Sequence, residues 1–170
     1  MFRAAIKGWP NVNAKMDNLD LLILDALQED GRTPFTQIAK KVGVAESTIR
    51  SRYASLVERG VVQTIAVIDP FALGYNSPAL IGISTESGKI NTVAQILERI
   101  PEVSYLILTL GGYDLMVEVF CRDREHLTEI ITNQIQSIPG IRATETLVIG
   151  KIFKLSFFWQ PEIDSRSVLE

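Results

Sequence analysis

From Asp17 onward, apolar residues fall at Leu19, Leu22, Ile23, Ala26 and Leu27, the spacing that lines one face of a helix packed on a core. Asp17 is placed to cap this helix and Asp30-Gly31 to end it. Thr33 followed by Pro34 predicts a second start, with Thr33 as cap, after which Ile38, Ala39 and Val42 make a short apolar face ended by Gly43. A third helix is predicted from about Ala45 to Gly60. It presents Ile49, Tyr53 or Leu56, and Val57 inward, and it leaves Ser47, Thr48, Arg50, Ser51, Arg52 and Ser55 mostly outward. Two helices crossing steeply through a short turn at Gly43 make a helix-turn-helix. Such a second helix can enter a major groove about 12 Å wide, where hydroxyls and guanidinium groups meet base edges and phosphates. The same three helices can also serve protein contacts alone.

The run from Val61 to Ile68 is rich in β-branched residues and predicts a strand leading out of the small domain to Asp69-Pro70. Beyond it the elements alternate. A strand at Leu80–Ile83 precedes a helix over about Lys89 to Arg99 that stops before Pro101. Strands at Val103–Leu110 and Asp114–Phe120 flank Gly111-Gly112, a helix spans about Arg124 to Gln136, and a strand covers Thr144 to Ile149. This βαββαβ order predicts a ferredoxin-like domain with both helices on one face of a four-stranded sheet, the other face awaiting cover. The tail Ile152–Trp159 alternates in bulk and is heavy in aromatics. It reads as an added C-terminal strand at a subunit interface, or as a segment completing its own chain's core. The expected fold class is α+β in two domains. Residues 1–15 form an extension, 16–62 a helix-turn-helix (winged-helix-like) domain, 63–76 a strand linker, 77–160 the dimerisation and effector-binding domain, and 161–170 a tail.

The composition narrows the chemistry. The chain has 170 residues, 46% hydrophobic, enough for two small domains and too few for a large catalytic barrel. One cysteine (Cys121) and one histidine (His126) exclude an internal disulfide and a Cys/His metal site. No apolar run is long enough for a membrane span, and residues 1–15 lack the apolar run of a signal peptide, so the cytoplasm is the expected location. The net charge of -3 hides an asymmetry: residues 1–60 carry nine basic and seven acidic residues, the remainder eight and thirteen. Residues 38–60 hold five positive charges against Glu46 and Glu58, a local basic field that is also consistent with an ordinary solvated helix face.

Gly111-Gly112-Tyr113-Asp114 lies between two predicted strands. Its glycines allow positive φ and close approach, its backbone N–H groups can hold a carboxylate, and Asp114 can receive an ammonium group, which together suit an amino acid. The tetrapeptide is equally an ordinary hairpin turn. Glu145-Thr146, on or before the last strand, can line the same crevice or face solvent. His126, flanked by Glu125 and Glu129 near a helix start, reads as a solvated helix residue. Cys121 reads as a small buried hydrophobe, and no nucleophile–base pairing is legible, so neither catalysis nor a cofactor is expected.

Over about residues 16–159 the chain resembles the leucine-responsive regulator/asparagine-regulator (feast/famine) transcription factors. The resemblance rests on Met16–Asp20 through Leu27–Arg32, on Ile38-Ala39-Lys40-Lys41-Val42-Gly43-Val44, and on Thr48-Ile49 with Arg52. Leu56–Val62, Gly111–Asp114 and Ile138–Ile141 complete it at the family's spacing. It implies a DNA-binding domain joined to a ferredoxin-like domain that dimerises, with dimers assembling into octamers or similar rings. It also implies amino-acid effectors bound at interfaces between dimers, beside Gly111, Gly112, Tyr113 and Asp114. By the same likeness Ser47, Thr48 and Arg52 fall on the reading helix, with Arg50 and Ser51 beside them, and double-stranded DNA is the macromolecular partner. Ala45 and Glu46 depart from the serine cap and proline that open this helix in many members. Ser51, Ala54 and Ser55 occupy positions often basic or polar in relatives, which together imply modest DNA affinity per domain offset by multivalency. An effector-free or architectural regulator is the competing reading. A tetrapyrrole decarboxylase, which the resemblance also touches, is more remote because the chain lacks an acid–base constellation.

Overall fold

The computed structural model describes residues 15–155, within which the chain forms two compact units, the first ending at Val67 and the second spanning Ile68–Leu155. The first contains α1 (Asn18–Glu29), α2 (Phe35–Val42) and α3 (Glu46–Glu58). Asp17 caps α1 as expected and closes a capping box: its carboxylate accepts the Asp20 N–H at 3.0 Å, and Asp20 accepts the Asp17 N–H at 3.4 Å. Ile23, Ala26, Leu27, Ile38, Ala39, Ile49 and Leu56 form the core. Two expected inward positions are corrected. Leu22 and Val57 are 41% and 44% exposed, because Leu22 lies at the border of the α1 stripe and Leu56 takes the inward direction beside Val57.

The turn between α2 and α3 depends on Gly43, whose φ of 75° is left-handed, with its N–H returned to the Ala39 carbonyl. Thr33 does not cap α2. Pro34 occupies the cap position without a side-chain bond, and the Thr33 hydroxyl instead donates to the Asp30 carbonyl at 2.7 Å, which also accepts the Thr33 N–H at 2.9 Å just past the end of α1. The strand expected over Val61–Ile68 is also corrected. Val61 and Val62 pack on the first core, but no strand neighbour lies beside the run among the described residues, and Ile65, Val67 and Ile68 stay exposed. The linker therefore carries no regular element before a 3-10 turn at Phe71–Leu73.

The second unit has the predicted βαββαβ order: β1 (Ser77–Thr85), α4 (Ile90–Leu97), β2 (Val103–Leu108), β3 (Leu115–Cys121), α5 (Arg124–Glu129) and β4 (Ile141–Val148). The sheet is antiparallel in the order β2-β3-β1-β4, so β1 pairs on both sides. Ala79, Ile81 and Ile83 of β1 and Leu115, Val117 and Val119 of β3 point to one face, where Val93, Leu97, Leu127, Ile130 and Ile135 from the helical segments cover them. The expected long second helix is α5 continued by a π-helical turn, Ile130–Ile135. Its wider repeat, with the Gln136 N–H donated to Ile131, keeps both terminal isoleucines in the core. The opposite sheet face carries Leu80, Tyr105, Ile107, Met116, Phe120 and Leu147 without helical cover. The added C-terminal strand is absent over Ile152–Leu155, where Phe153 is 87% exposed and no strand pairs with the segment. Residues 156–159 of that expected strand lie outside the described residues.

Candidate nucleic-acid interface and ligand site

Ile49 and Leu56 are fully buried and fix which side of α3 faces the core. The opposite side carries Ser47 and Ser51, one turn apart and exposed, with Thr48 half-buried on the flank. Arg50 also points outward, 2.6 Å from Glu46 and 5.4 Å above the Phe35 ring. Lys40 and Lys41, exposed in the last turn of α2, add positive charge where the helix dipole favours it.

Arg52 turns the other way. Its Nη1 lies 2.5 Å from Asp17 Oδ2 and 3.3 Å from Asp20 Oδ1, so its side chain joins α3 to the start of α1. Arg59 approaches Asp20 at 3.9 Å and donates to the Lys15 carbonyl at 2.8 Å. The N–H of Asp20, and secondarily the Arg52 guanidinium, hold the Asp17 carboxyl below its ordinary range. Of the five residues expected at DNA, Ser47, Arg50 and Ser51 thus share the outward surface, Thr48 borders it, and Arg52 is engaged within the unit.

In the second unit, Tyr113 leaves the β2–β3 turn and lays its ring across Gly82 in β1. A Cβ at Gly82 would sit 2.7 Å from the ring carbons. Gly82 is the register partner of Glu145 on β4, so a ring crossing β1 at this glycine reaches that carboxylate, to which the Tyr113 hydroxyl donates. An isolated glycine inside a strand was the signal for this close approach, and Gly82 is the site residue that sequence reasoning missed. Thr146 does not join Glu145. It is paired with Ile81 and directed to the helix-covered face, because neighbouring strand residues point to opposite sides.

Asp114 Oδ2 accepts both the Thr85 N–H at 2.7 Å and the Thr85 hydroxyl at 3.0 Å, tying the start of β3 to the end of β1. These two bonds, in that order, with a smaller contribution from Arg142, hold the Asp114 carboxyl below its ordinary 3.8. The stabilisation is therefore complete above 3.8 and disappears as the pH falls through the lower folded-state value. Asp114→Asn should flatten the acid limb of a stability-versus-pH curve in that window; an unchanged limb would show that the bonds to Thr85 do not couple to folding. Gly111 and Gly112 are exposed, and neither uses the positive φ that glycine allows.

His126 is buried rather than solvated. With Asp123 as N-cap, α5 starts so that the ring folds inward, its Nδ1 accepting the Arg122 N–H at 3.2 Å and its Nε2 lying 3.4 Å from Glu102. Cys121 is buried as expected, and burial first, then Glu102, pushes its thiol up to about 11, which makes it a poor nucleophile. Among the described residues no group of three or more His, Cys, Asp or Glu side chains is placed to hold a metal, and no helix is long and apolar enough to cross a membrane.

Comparison with known proteins follows the same division. Residues 16–57 match the AsnC-type helix-turn-helix domain, and residues 78–157 match the Lrp/AsnC ligand binding domain. The HTH-type transcriptional regulator FL11 of Pyrococcus horikoshii is 39% identical over 140 residues, covering 82% of this chain and 92% of its own. The solved structure of Escherichia coli AsnC superposes with a TM-score of 0.78 at 31% identity, over 85% of this chain and 99% of that one. A Neisseria meningitidis transcriptional regulator solved as an L-Met complex has the same fold, with a TM-score of 0.76 at 23% identity over 84% and 95% of the two chains. The relatives are transcriptional regulators rather than enzymes. A helix-turn-helix unit followed by a βαββαβ unit, each matching its counterpart in these regulators, makes the chain a member of the Lrp/AsnC family of DNA-binding transcriptional regulators.

Proposed function

We propose that this regulator reads specific DNA sequences with the outward face of α3 and responds to an amino acid held beside the 111–114 turn where copies of the chain meet. The observation that carries the reading is the exposed polar strip of Ser47, Arg50 and Ser51 directly opposite the buried Ile49 and Leu56. Hydroxyls donate to or accept from base edges, and Arg50 can exchange its exposed partner Glu46 for a phosphate because surface ion pairs contribute only about 0–1 kcal/mol. Thr48 reaches the same groove from the flank. Such a reader acts where its DNA is, and the cytoplasm is the location that fits this reading.

For the effector, both Thr85 donors fall on Asp114 Oδ2, which leaves Oδ1 for an ammonium group, and the exposed N–H groups of Gly111 and Gly112 suit a carboxylate. Tyr113, seated on Gly82 and bonded to Glu145, forms a wall. The uncovered sheet face, with Tyr105 at 56% and Leu147 at 49% exposure, favours a dimer, and two reading helices then meet two half-sites. A thermal-shift screen with the twenty amino acids should find at least one that raises the melting temperature of the chain, and Asp114→Ala should abolish that rise while leaving basal DNA binding intact. No rise with any amino acid favours the effector-independent regulator, a reading consistent with the involvement of Asp114 in holding Thr85.

A further inference from the structure

We propose that Arg52 is a positioning residue, one that clamps the reading helix to the start of α1 instead of contacting DNA. The inference rests on α3 being the DNA-reading helix. Asp20 is 3% exposed, and a buried carboxylate persists only when its charge is met. It is met by Arg52 at 3.3 Å and, more distantly, by Arg59 at 3.9 Å. Turning Arg52 outward to a phosphate would leave Asp20 with the Asp17 N–H and, among the described residues, the more distant Arg59 as its one cation. The same guanidinium holds Asp17 at 2.5 Å, so much of its charge is matched within the unit before DNA arrives.

The rest of α3 needs such a clamp. Its N-terminus has no side-chain cap at Ala45, and its only fully buried anchors, Ile49 and Leu56, lie along one line of the helix. Tyr53 props one flank of that line, its ring 5.1 Å from that of Phe35 and its hydroxyl 3.0 Å from that of Thr64, so the helix can roll only toward the other flank, which would turn Ser47 and Ser51 away from the groove. Arg52 sits on that other flank and ties it to α1. Its partners are themselves fixed by the reciprocal capping bonds of Asp17 and Asp20. Two turns on, on the same side, Arg59 at the helix end bonds the Lys15 carbonyl and closes the same contact surface.

The two roles predict opposite responses to neutralising Asp17. A clamp loses its partner, so Asp17→Asn weakens DNA binding although asparagine still caps α1. A phosphate-binding Arg52, released from Asp17, would bind more tightly. The experiment uses the full chain and a duplex selected on it from a random-sequence pool. Affinity is measured at several salt concentrations and at a temperature where circular dichroism shows every variant folded, with Arg50→Ala as the contact control. Arg52→Ala and Asp17→Asn should each weaken binding roughly threefold to tenfold, the double variant no more than either alone, with the salt slope of the wild type. A slope shallower by about 0.9 in Arg52→Ala, or unchanged or tighter binding by Asp17→Asn, overturns the assignment. A chain that selects no duplex refutes DNA reading by α3. In that case additive thermal shifts of Arg52→Ala and Asp17→Asn would overturn the clamp as well, and non-additive shifts would retain it.

Discussion

Replacing Leu56 by Ala is expected to abolish DNA binding by unfolding the helical unit while the sheet unit stays folded. Leu56 has no exposed surface and belongs to a core of seven buried residues among those described. Truncating a buried leucine costs about 2–5 kcal/mol, lost transfer energy and residual cavity together. A unit of this size has little in reserve, since even complete domains are stable by only about 5–15 kcal/mol. The second core shares no residue with the first, so its transition should not move. Thermal unfolding followed by far-ultraviolet circular dichroism should show early loss of part of the helical signal and a late transition at the wild-type temperature. A single transition, or one displaced as a whole, would show that the two cores do not unfold independently.

The second large effect is expected at Gly82. Any side chain there meets the Tyr113 ring, and valine adds two methyl groups where one Cβ already lies 2.7 Å from ring carbons. The ring must leave, the bond from its hydroxyl to Glu145 is lost, and overpacking of this kind costs about 1–3 kcal/mol. Gly82→Val should lower the sheet unit's melting temperature and remove any amino-acid response, whereas Tyr113→Ala on the Gly82→Val background should recover part of the stability by clearing the space. Failure of that second substitution to recover stability would place the strain somewhere other than the ring.

The parts of the fold that were legible in the sequence are those set by one-dimensional periodicity. The buried positions Ile23, Ala26, Ile38, Ile49 and Leu56 follow from helical spacing, and the alternation Leu115, Val117, Val119 follows from the strand period. Periodicity names the face of an element and is silent about its partner. Val61–Ile68 has the composition of a strand and, among the described residues, no strand beside it, so the expectation did not hold there. The roles of Arg52 and Gly82 depend on neighbours far along the chain. Arg52 meets Asp17 from 35 positions away, and the Tyr113 ring reaches Glu145 across 32. The π-helical turn after α5 was invisible because Ile130, Ile131 and Ile135 fit an α-helical stripe and a wider one alike.

The central claim is that the exposed serines of α3 face DNA, and a carboxylate introduced among them tests it most directly. Fluorescence anisotropy of the selected duplex, titrated with wild type and Ser51→Glu, should show affinity that falls with added salt for the wild type and is at least about tenfold weaker for the variant, since a negative charge then opposes the phosphates. Both proteins should melt at the same temperature, because residue 51 is exposed. Equal affinities in two folded proteins would contradict the account.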